Sequence, residues 1–254
     1  PLVSGQGLAL LQAAGIATAS GLLENEAREL NIGFVSRMSR GRPWLRLKTA
    51  ASLDGKTALN NGVSQWITGP AARRDGHRWR ARACAILTGI GTVRDDDPQL
   101  NVRDVETTRQ PLRVVVDSKL ETPLTARILQ GGPVLIVGAL ENLEKMEMLR
   151  STGAEVLIFP NAAGKVELKD LLEELGRRGI NEVHAEAGFK LNGSLLREGL
   201  VDELLLYLAP CLIGHTASGL FNLPELTNLD GKHQLQIRDL RQVGEDIRLI
   251  ARFR

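Results

Sequence analysis

Three features of the sequence predict one large α/β domain, with a mostly parallel central sheet, helices on both faces and antiparallel C-terminal edge strands. Short apolar runs alternate with amphipathic stretches from residue 44 to about residue 198. Leu168, Leu171, Leu172 and Leu175 follow the i, i+3, i+4, i+7 spacing of a helix that buries one face, while Glu173, Glu174 and Arg177 are free to meet water. After residue 201 two long strand-like runs flank a Gly- and Asn-rich connection, which suits antiparallel strands added to a parallel sheet.

Taken in order, the chain opens with a helix over 7–14, an extended piece over 16–23 and a second helix from about residue 25. In that helix Ala27, Leu30 and Phe34 share one face, and Gly41-Arg42-Pro43 stops it. Residues 1–41 are too little chain for a domain and read as an appendage to 42–254. Strands are predicted over 44–51, 83–87, 112–116, 133–137, 155–159 and 182–186, and helices over 71–82, 140–149, 167–177 and 191–198. Strands separated by helices need crossover connections, so neighbouring strands should run parallel and be covered on both faces. The tail strands are 201–209 and 247–253, and the connection between them holds Gly214, Gly219 and Gly231.

A chain of 254 residues, 43% hydrophobic and 24% charged, can bury a core without disulfides or metals, and is neither disordered nor fibrous. A net charge of +2 provides no global field for nucleic acid. Cys84 and Cys211 lie far apart and outside any zinc spacing, so they read as buried thiols of a reducing cytosol. There is no apolar run of about 18 residues and no leader, so neither a membrane span nor a secretory signal is expected. Because Pro1 stands where an initiator Met would, the polypeptide reads as processed or partial. His77, His184, His215 and His233 form no metal or triad pattern and are expected in surface or incidental roles.

Chemistry concentrates in a few segments. Lys48-Thr49-Ala50-Ala51-Ser52-Leu53-Asp54-Gly55 ends an apolar strand in small residues, which let a flat ligand approach the backbone; a plain Asp-Gly turn is the alternative. Ser64, Gln65 and Thr68 surround Trp66, which could stack on a planar ring or fill core. The arginine-rich stretch 73–82 is mostly solvated or surface-paired, with one or two guanidiniums available to grip a phosphate. Gly89 and Gly91 follow a strand, but Arg94 replaces the third glycine of a dinucleotide fingerprint. The adjacent Asp95, Asp96 and Asp97 form either a solvated turn or a set of ligand acceptors. Finally, Glu186 ends a strand, and the loop from Gly188 to Ser194 enters a helix whose free N–H groups suit a pyrophosphate. No Lys follows Gly193, so the loop is not a nucleoside-triphosphate P-loop.

In order, the segments RPWLRLKTAASLDGKTA, GVSQWITGPAARRDGHRWRA, AILTGIGTVRDDDPQLNVR, PLRVVVDS, EAGFKLNGSLL and VDELLLYLAP resemble those of the riboflavin-biosynthesis reductases, whose fold is dihydrofolate-reductase-like. Residues 1–41 resemble the end of the deaminase domain that precedes the reductase in bacterial bifunctional members, without that domain's zinc ligands or catalytic Glu. Zinc is therefore expected only in the absent deaminase part. The resemblance implies NADPH contacts at Ala50, Trp66, Thr92, Asp96, Ser118, Gly188, Phe189, Lys190, Leu191, Asn192, Gly193 and Ser194. Substrate contacts would fall at Ser64, Arg80, Leu100, Arg103 and Glu186, the substrate being the phosphorylated ribosylaminopyrimidine 5-amino-6-(5-phosphoribosylamino)uracil. Lys48, at the same strand end, could assist polarisation, and Asp54, Asp96 or bound water could relay a proton. The resemblance also implies a cytoplasmic homodimer, with 201–209 as a candidate dimer edge. A reductase of another pterin or aminopyrimidine, and a nucleotide-binding module without turnover, are the competing readings.

Overall fold

The structure, a computed structural model, describes residues 5–253. Its strands are β1 (Trp44–Ser52), β2 (Lys56–Ala58), β3 (Ala85–Gly89), β4 (Leu112–Val116), β5 (Val134–Gly138), β6 (Glu155–Ile158), β7 (Glu182–Ala185), β8 (Glu203–Ala209), β9 (Ser218–Gly219), β10 (Leu235–Val243) and β11 (Asp246–Phe253). The helices are α1 (Gln6–Ala13), α2 (Glu24–Leu30), α3 (Ile32–Arg40), α4 (Pro70–Arg82), α5 (Ile90–Asp96), α6 (Leu143–Ser151), α7 (Leu168–Arg177) and α8 (Phe189–Arg197). Nine strands form one sheet in the order β10-β11-β8-β1-β7-β3-β4-β5-β6. The pairings from β8 to β6 are parallel, and β11 joins β8 and β10 antiparallel. The mostly parallel sheet with an antiparallel C-terminal end is as the sequence predicts.

Alternation along each strand splits the core into two layers. Leu45, Leu47, Leu87, Val114 and Leu135 face Leu171, Leu172 and Leu175 of α7 and Leu195 and Leu196 of α8. Ile86, Val115 and Ile136 point the other way, toward Val93 of α5 and Met146 and Leu149 of α6. On that second face the half beneath α4 combines a small apolar cluster of Ala72, Leu205, Tyr207 and Ile250 with buried polar groups. Arg46 donates to Glu203 at 2.6 Å, Tyr207 and Arg248 both donate to Asp75 at 2.7 and 2.9 Å, and the Arg46 and Arg248 guanidiniums lie 4.4 and 5.6 Å from the centroid of the Trp79 ring. Buried charges survive only when paired, and each of these has its partner.

Several local expectations are corrected. The second N-terminal helix is two, broken at Asn31, and its Leu30 and Phe34 are exposed. The buried residues of α3 are Gly33 and Ser36, because a Cβ on Gly33 would sit 2.7 Å from the Asn181 carbonyl oxygen. The expected strand 83–87 slides to Ala85–Gly89, since Ala83 still caps α4 through bonds to the Trp79 and Arg80 carbonyls. The 201–209 strand is not an edge, because β1 and β11 flank β8; the edges are β6 and β10, the latter missed in the sequence. Cys84 is half-buried and Cys211 exposed, contrary to two buried thiols. His77 and His184 are buried rather than on the surface.

Candidate active site

The central strands β1, β7 and β3 run parallel, so their carboxyl ends open on one side of the sheet. Leu47 pairs with Ala185 and Ala185 with Leu87, which sets the following residues, Lys48, Glu186 and Thr88, in a row across three strands. Arg80 of α4 lies on this row and grips Glu186 through Nε and through Nη2, the latter at 3.0 Å. The Lys48 ammonium lies 3.4 Å from the same carboxylate, and His184 Nε2 lies 3.3 Å from it. Burial alone would raise the Glu186 pKa, but Arg80 and then Lys48 overcome it and hold the carboxyl well below the ordinary value. Glu186 is thus an anionic acceptor and not an acid. Arg80 is largely shielded and engaged, unlike the solvated guanidiniums expected of most of its helix.

Toward solvent, Arg80 Nη1 donates to the Asn101 carbonyl at 3.1 Å. Of its five N–H groups, three are then used and two remain for a ligand. Arg103, half exposed, donates to Asn101 Oδ1 at 3.3 Å, so two guanidiniums flank one loop. Leu100 is buried beneath that loop in a left-handed conformation, φ 47°.

Two helix starts meet beside this row. α8 begins at Phe189, with Gly188 as N-cap, so most of the predicted loop is helix. α5 begins at Ile90 behind Gly89, also where a loop was expected. The two are close, since a Cβ on Gly188 would lie 3.8 Å from Thr92 Oγ1 and one on Gly89 would lie 3.1 Å from the Leu191 side chain. Neither cap uses a side chain, and Asn192 N–H is the first to bond back to Gly188, which leaves the amides of Phe189, Lys190 and Leu191 as free donors. Asn192 and Gly193 instead turn inward, where a Cβ on Gly193 would strike the Asn222 carbonyl oxygen at 2.2 Å. The Ser194 hydroxyl donates back to Lys190 O. Ser118 stands just beyond β4 and its hydroxyl accepts the Val166 amide at 3.3 Å.

The two aspartates proposed for proton relay differ. Asp54 accepts from the Ser52 hydroxyl and from the amides of Ile213 and Gly214, and these bonds hold it at about 2. It thereby ties down the backbone at residues 213 and 214 as an ionised acceptor. Asp96 has its pKa raised, by partial burial and then by Asp95, with Gln65 and Ser64 beside it. Ala50 lies in β1, one residue beyond Thr49 on the way to the opening. The exposed Trp66 ring is stacked on Arg73, 4.7 Å from its centroid, and Arg73 also binds Thr68 O at 2.5 Å. Sequence reasoning missed Thr88, His77 and His184. The two histidines sit three residues before Arg80 on a helix and two before Glu186 on a strand, spacings that put each on its neighbour's face. Among the described residues no group of three or more His, Cys, Asp or Glu could hold a metal ion.

Residues 43–249 match the family model described as the RibD C-terminal domain. The chain is 43% identical over 261 residues to the riboflavin biosynthesis protein RibD of Escherichia coli strain K12, covering 97% of this chain and 70% of that protein. The solved structure of Acinetobacter baumannii RibD, form 1, is similar over the full chain and 70% of its own length, at 40% identity and a TM-score of 0.89. A Thermotoga maritima structure titled diaminohydroxyphosphoribosylaminopyrimidine deaminase/5-amino-6-(5-phosphoribosylamino)uracil reductase is similar at 25% identity and a TM-score of 0.83, over 100% of this chain and 68% of that one.

Proposed function

The chain belongs to the RibD C-terminal domain family and is a reductase of riboflavin biosynthesis, and from that premise we propose that it reduces 5-amino-6-(5-phosphoribosylamino)uracil with NADPH. The observation that carries the reading is the row of Lys48 and Glu186 with Arg80, set beside the uncapped start of α8. Residues 42–254 form the reductase of this proposal, and residues 1–41 are read as the end of a deaminase domain. A cytoplasmic homodimer is part of the proposal, and its support is the edge strand β10, where Ile237 and Leu240 are exposed. No helix among the described residues is long and apolar enough to cross a membrane.

The residues present fit a dinucleotide phosphate. The amides of Phe189, Lys190 and Leu191 are free at a helix start, and a Cβ on Gly91 would meet nothing within 4 Å apart from its chain neighbours and its own helix's backbone. Ala50, Trp66, Thr92, Asp96 and Ser118 complete the proposed cofactor side. When bound, the cofactor supplies hydride, for the C1′ carbon of the ring-opened ribosyl group. The chain's own task is alignment. Arg103 and the two spare N–H groups of Arg80 take the substrate phosphate, Ser64 and Glu186 take polar groups of the pyrimidine and sugar, and Leu100 closes the apolar side. Holding donor and acceptor in register is worth roughly 7–11 kcal/mol for well-oriented reactants. Lys48, with Asp96 as the alternative, delivers the proton, since Asp54 is engaged elsewhere.

The test is to follow loss of NADPH absorbance with the deaminated substrate. Turnover is expected; a folded but silent protein favours the binding-module reading, and turnover of pterins instead favours the other reductase. Arg103→Ala should raise the KM of the phosphorylated substrate about tenfold or more, as loss of a charge-assisted contact does.

A further inference from the structure

We infer that His77 is a positioning residue that, as a neutral acceptor, latches the 100–104 loop and so sets Arg103 beside Arg80 at the phosphate end of the site; this rests on the proposed role of Arg103. His77 is buried in α4, and its Nδ1 accepts the backbone N–H of Arg103 at 3.3 Å. It precedes Arg80 by three residues, so one face of α4 holds both guanidiniums: Arg80 by its own side chain, Arg103 through the amide that His77 binds.

The loop needs such a latch. Asp97, Leu100 and Asp104 have φ of 39°, 47° and 62°, a left-handed region that non-glycine residues adopt at a cost and only when the surroundings impose it. Leu100 and Val102 seat the loop in the core, and its hydrogen bonds to the surrounding chain include Arg80 Nη1 on Asn101 O at 3.1 Å, Gln110 on both backbone groups of Val102 at 2.8 and 3.1 Å, and His77 on Arg103. Of these the His77 bond alone falls on the residue that presents the guanidinium. An imidazole can accept at Nδ1 only while that nitrogen is unprotonated. Burial, followed by Arg80 and Arg103, pushes the His77 pKa down to about 4, against the opposing pull of Glu186 and Asp104, so the lone pair stays available. With Nδ1 accepting, the proton sits on Nε2, 3.9 Å from the Asp104 carboxylate, which turns the ring the same way.

The experiment compares His77→Leu, His77→Asn, Arg103→Ala and the His77→Leu/Arg103→Ala double variant, in steady-state kinetics with the phosphorylated substrate and with NADPH. Removing one neutral hydrogen bond that positions a charged contact predicts, for His77→Leu, a rise of about tenfold in substrate KM, with kcat and cofactor KM within about twofold of the parent. Asn puts its Oδ1 where Nδ1 stood and should restore KM to within about threefold. The double variant should be no worse than Arg103→Ala, since His77 acts through Arg103. Should the Leu variant fail to fold, His77→Gln replaces it, because Gln carries its acceptor out at the Nε2 position and should behave as a loss. An unchanged KM in His77→Leu, an Asn variant as impaired as Leu, or a parallel loss of kcat and cofactor affinity overturns the inference. An unchanged KM in Arg103→Ala overturns the phosphate reading itself, which separates the two failures.

Discussion

Asp54 accepts three hydrogen bonds from Ser52, Ile213 and Gly214, and each favours its ionised form. Its folded pKa, about 2, lies below the ordinary 3.8, so its contribution to stability is present above about pH 4 and is lost as pH falls toward 2. Asp54→Asn should therefore lower the melting temperature at neutral pH, with the difference from the parent shrinking as pH falls from about 4 to 2. Since an already ionised carboxyl has no proton to give, the shape of the kcat profile from about pH 5 to 9 should survive the change. A lost limb in that profile would return Asp54 to the chemistry. The charged residues of the site are legible one at a time, because a Lys or Glu at the end of an apolar strand is costly unless used. Their pairing is not legible. Glu186 meets Lys48 across 138 residues and Arg80 across 106, and only the register of β1 on β7 and the seat of α4 bring them together. Arg80 and Glu186 thus form one paired unit where the sequence offers two separate ligand contacts.

Helix α8 carries two glycines with opposite duties. Gly188, at the N-cap, has extended backbone and room for a Cβ, the nearest atom being Thr92 Oγ1 at 3.8 Å. Gly193, one turn in, would drive a Cβ into the Asn222 backbone at 2.2 Å. Gly193→Ala should cost about 1–3 kcal/mol in denaturant unfolding through overpacking. Gly188→Ala should cost less than about 1 kcal/mol, as an N-cap change does. Its methyl group stands over the free amides, so it should weaken cofactor binding about tenfold, measured by titration. Equal stability losses would mean that both glycines serve packing alone. At this scale β10 shows why an element can escape sequence reading. Leu235 and Ile237 alternate toward one face, but the pairing with β11 shifts between Ile237 and Asp239, so Leu240 falls out of phase and the period-2 signal breaks. The strand is also largely exposed, whereas β4, buried and regular, is found in the sequence to the residue.

Across the whole molecule, the N-terminal segment is fastened unevenly. Among the described residues α1 buries none, and Leu22 and Leu23 are exposed, so residues 5–23 add little to the folded state. α3 is different: Gly33 lies on the Asn181 backbone, Arg37 donates to Asn181 at 2.7 Å, and Arg40 joins Arg42 on Asp202, which also accepts the Leu45 amide at the start of β1. Glu29 of α2 takes both terminal nitrogens of Arg252 at 2.7 Å, in a chain that continues through Glu203 to Arg46 beneath α4. The segment is thereby tied to β1, β7, β8 and β11, the strands on which the site is built. Exposed pairs alone would be worth little, but this set includes buried backbone contact and near-buried carboxylates. Removing residues 1–23 should shift the melting temperature by less than about 2 °C. Removing residues 1–40 should lower it by about 5–10 °C, the equivalent of roughly 2–3 kcal/mol at this size. In that shorter form Glu29→Gln has no counterpart, so in the longer form it isolates the α2 tie: a loss of about 1 kcal/mol, reduced by added salt, is expected. Equal melting of the two truncated forms would mean that α3 only rests on the reductase, and that Asp202 is held by Arg42 without help.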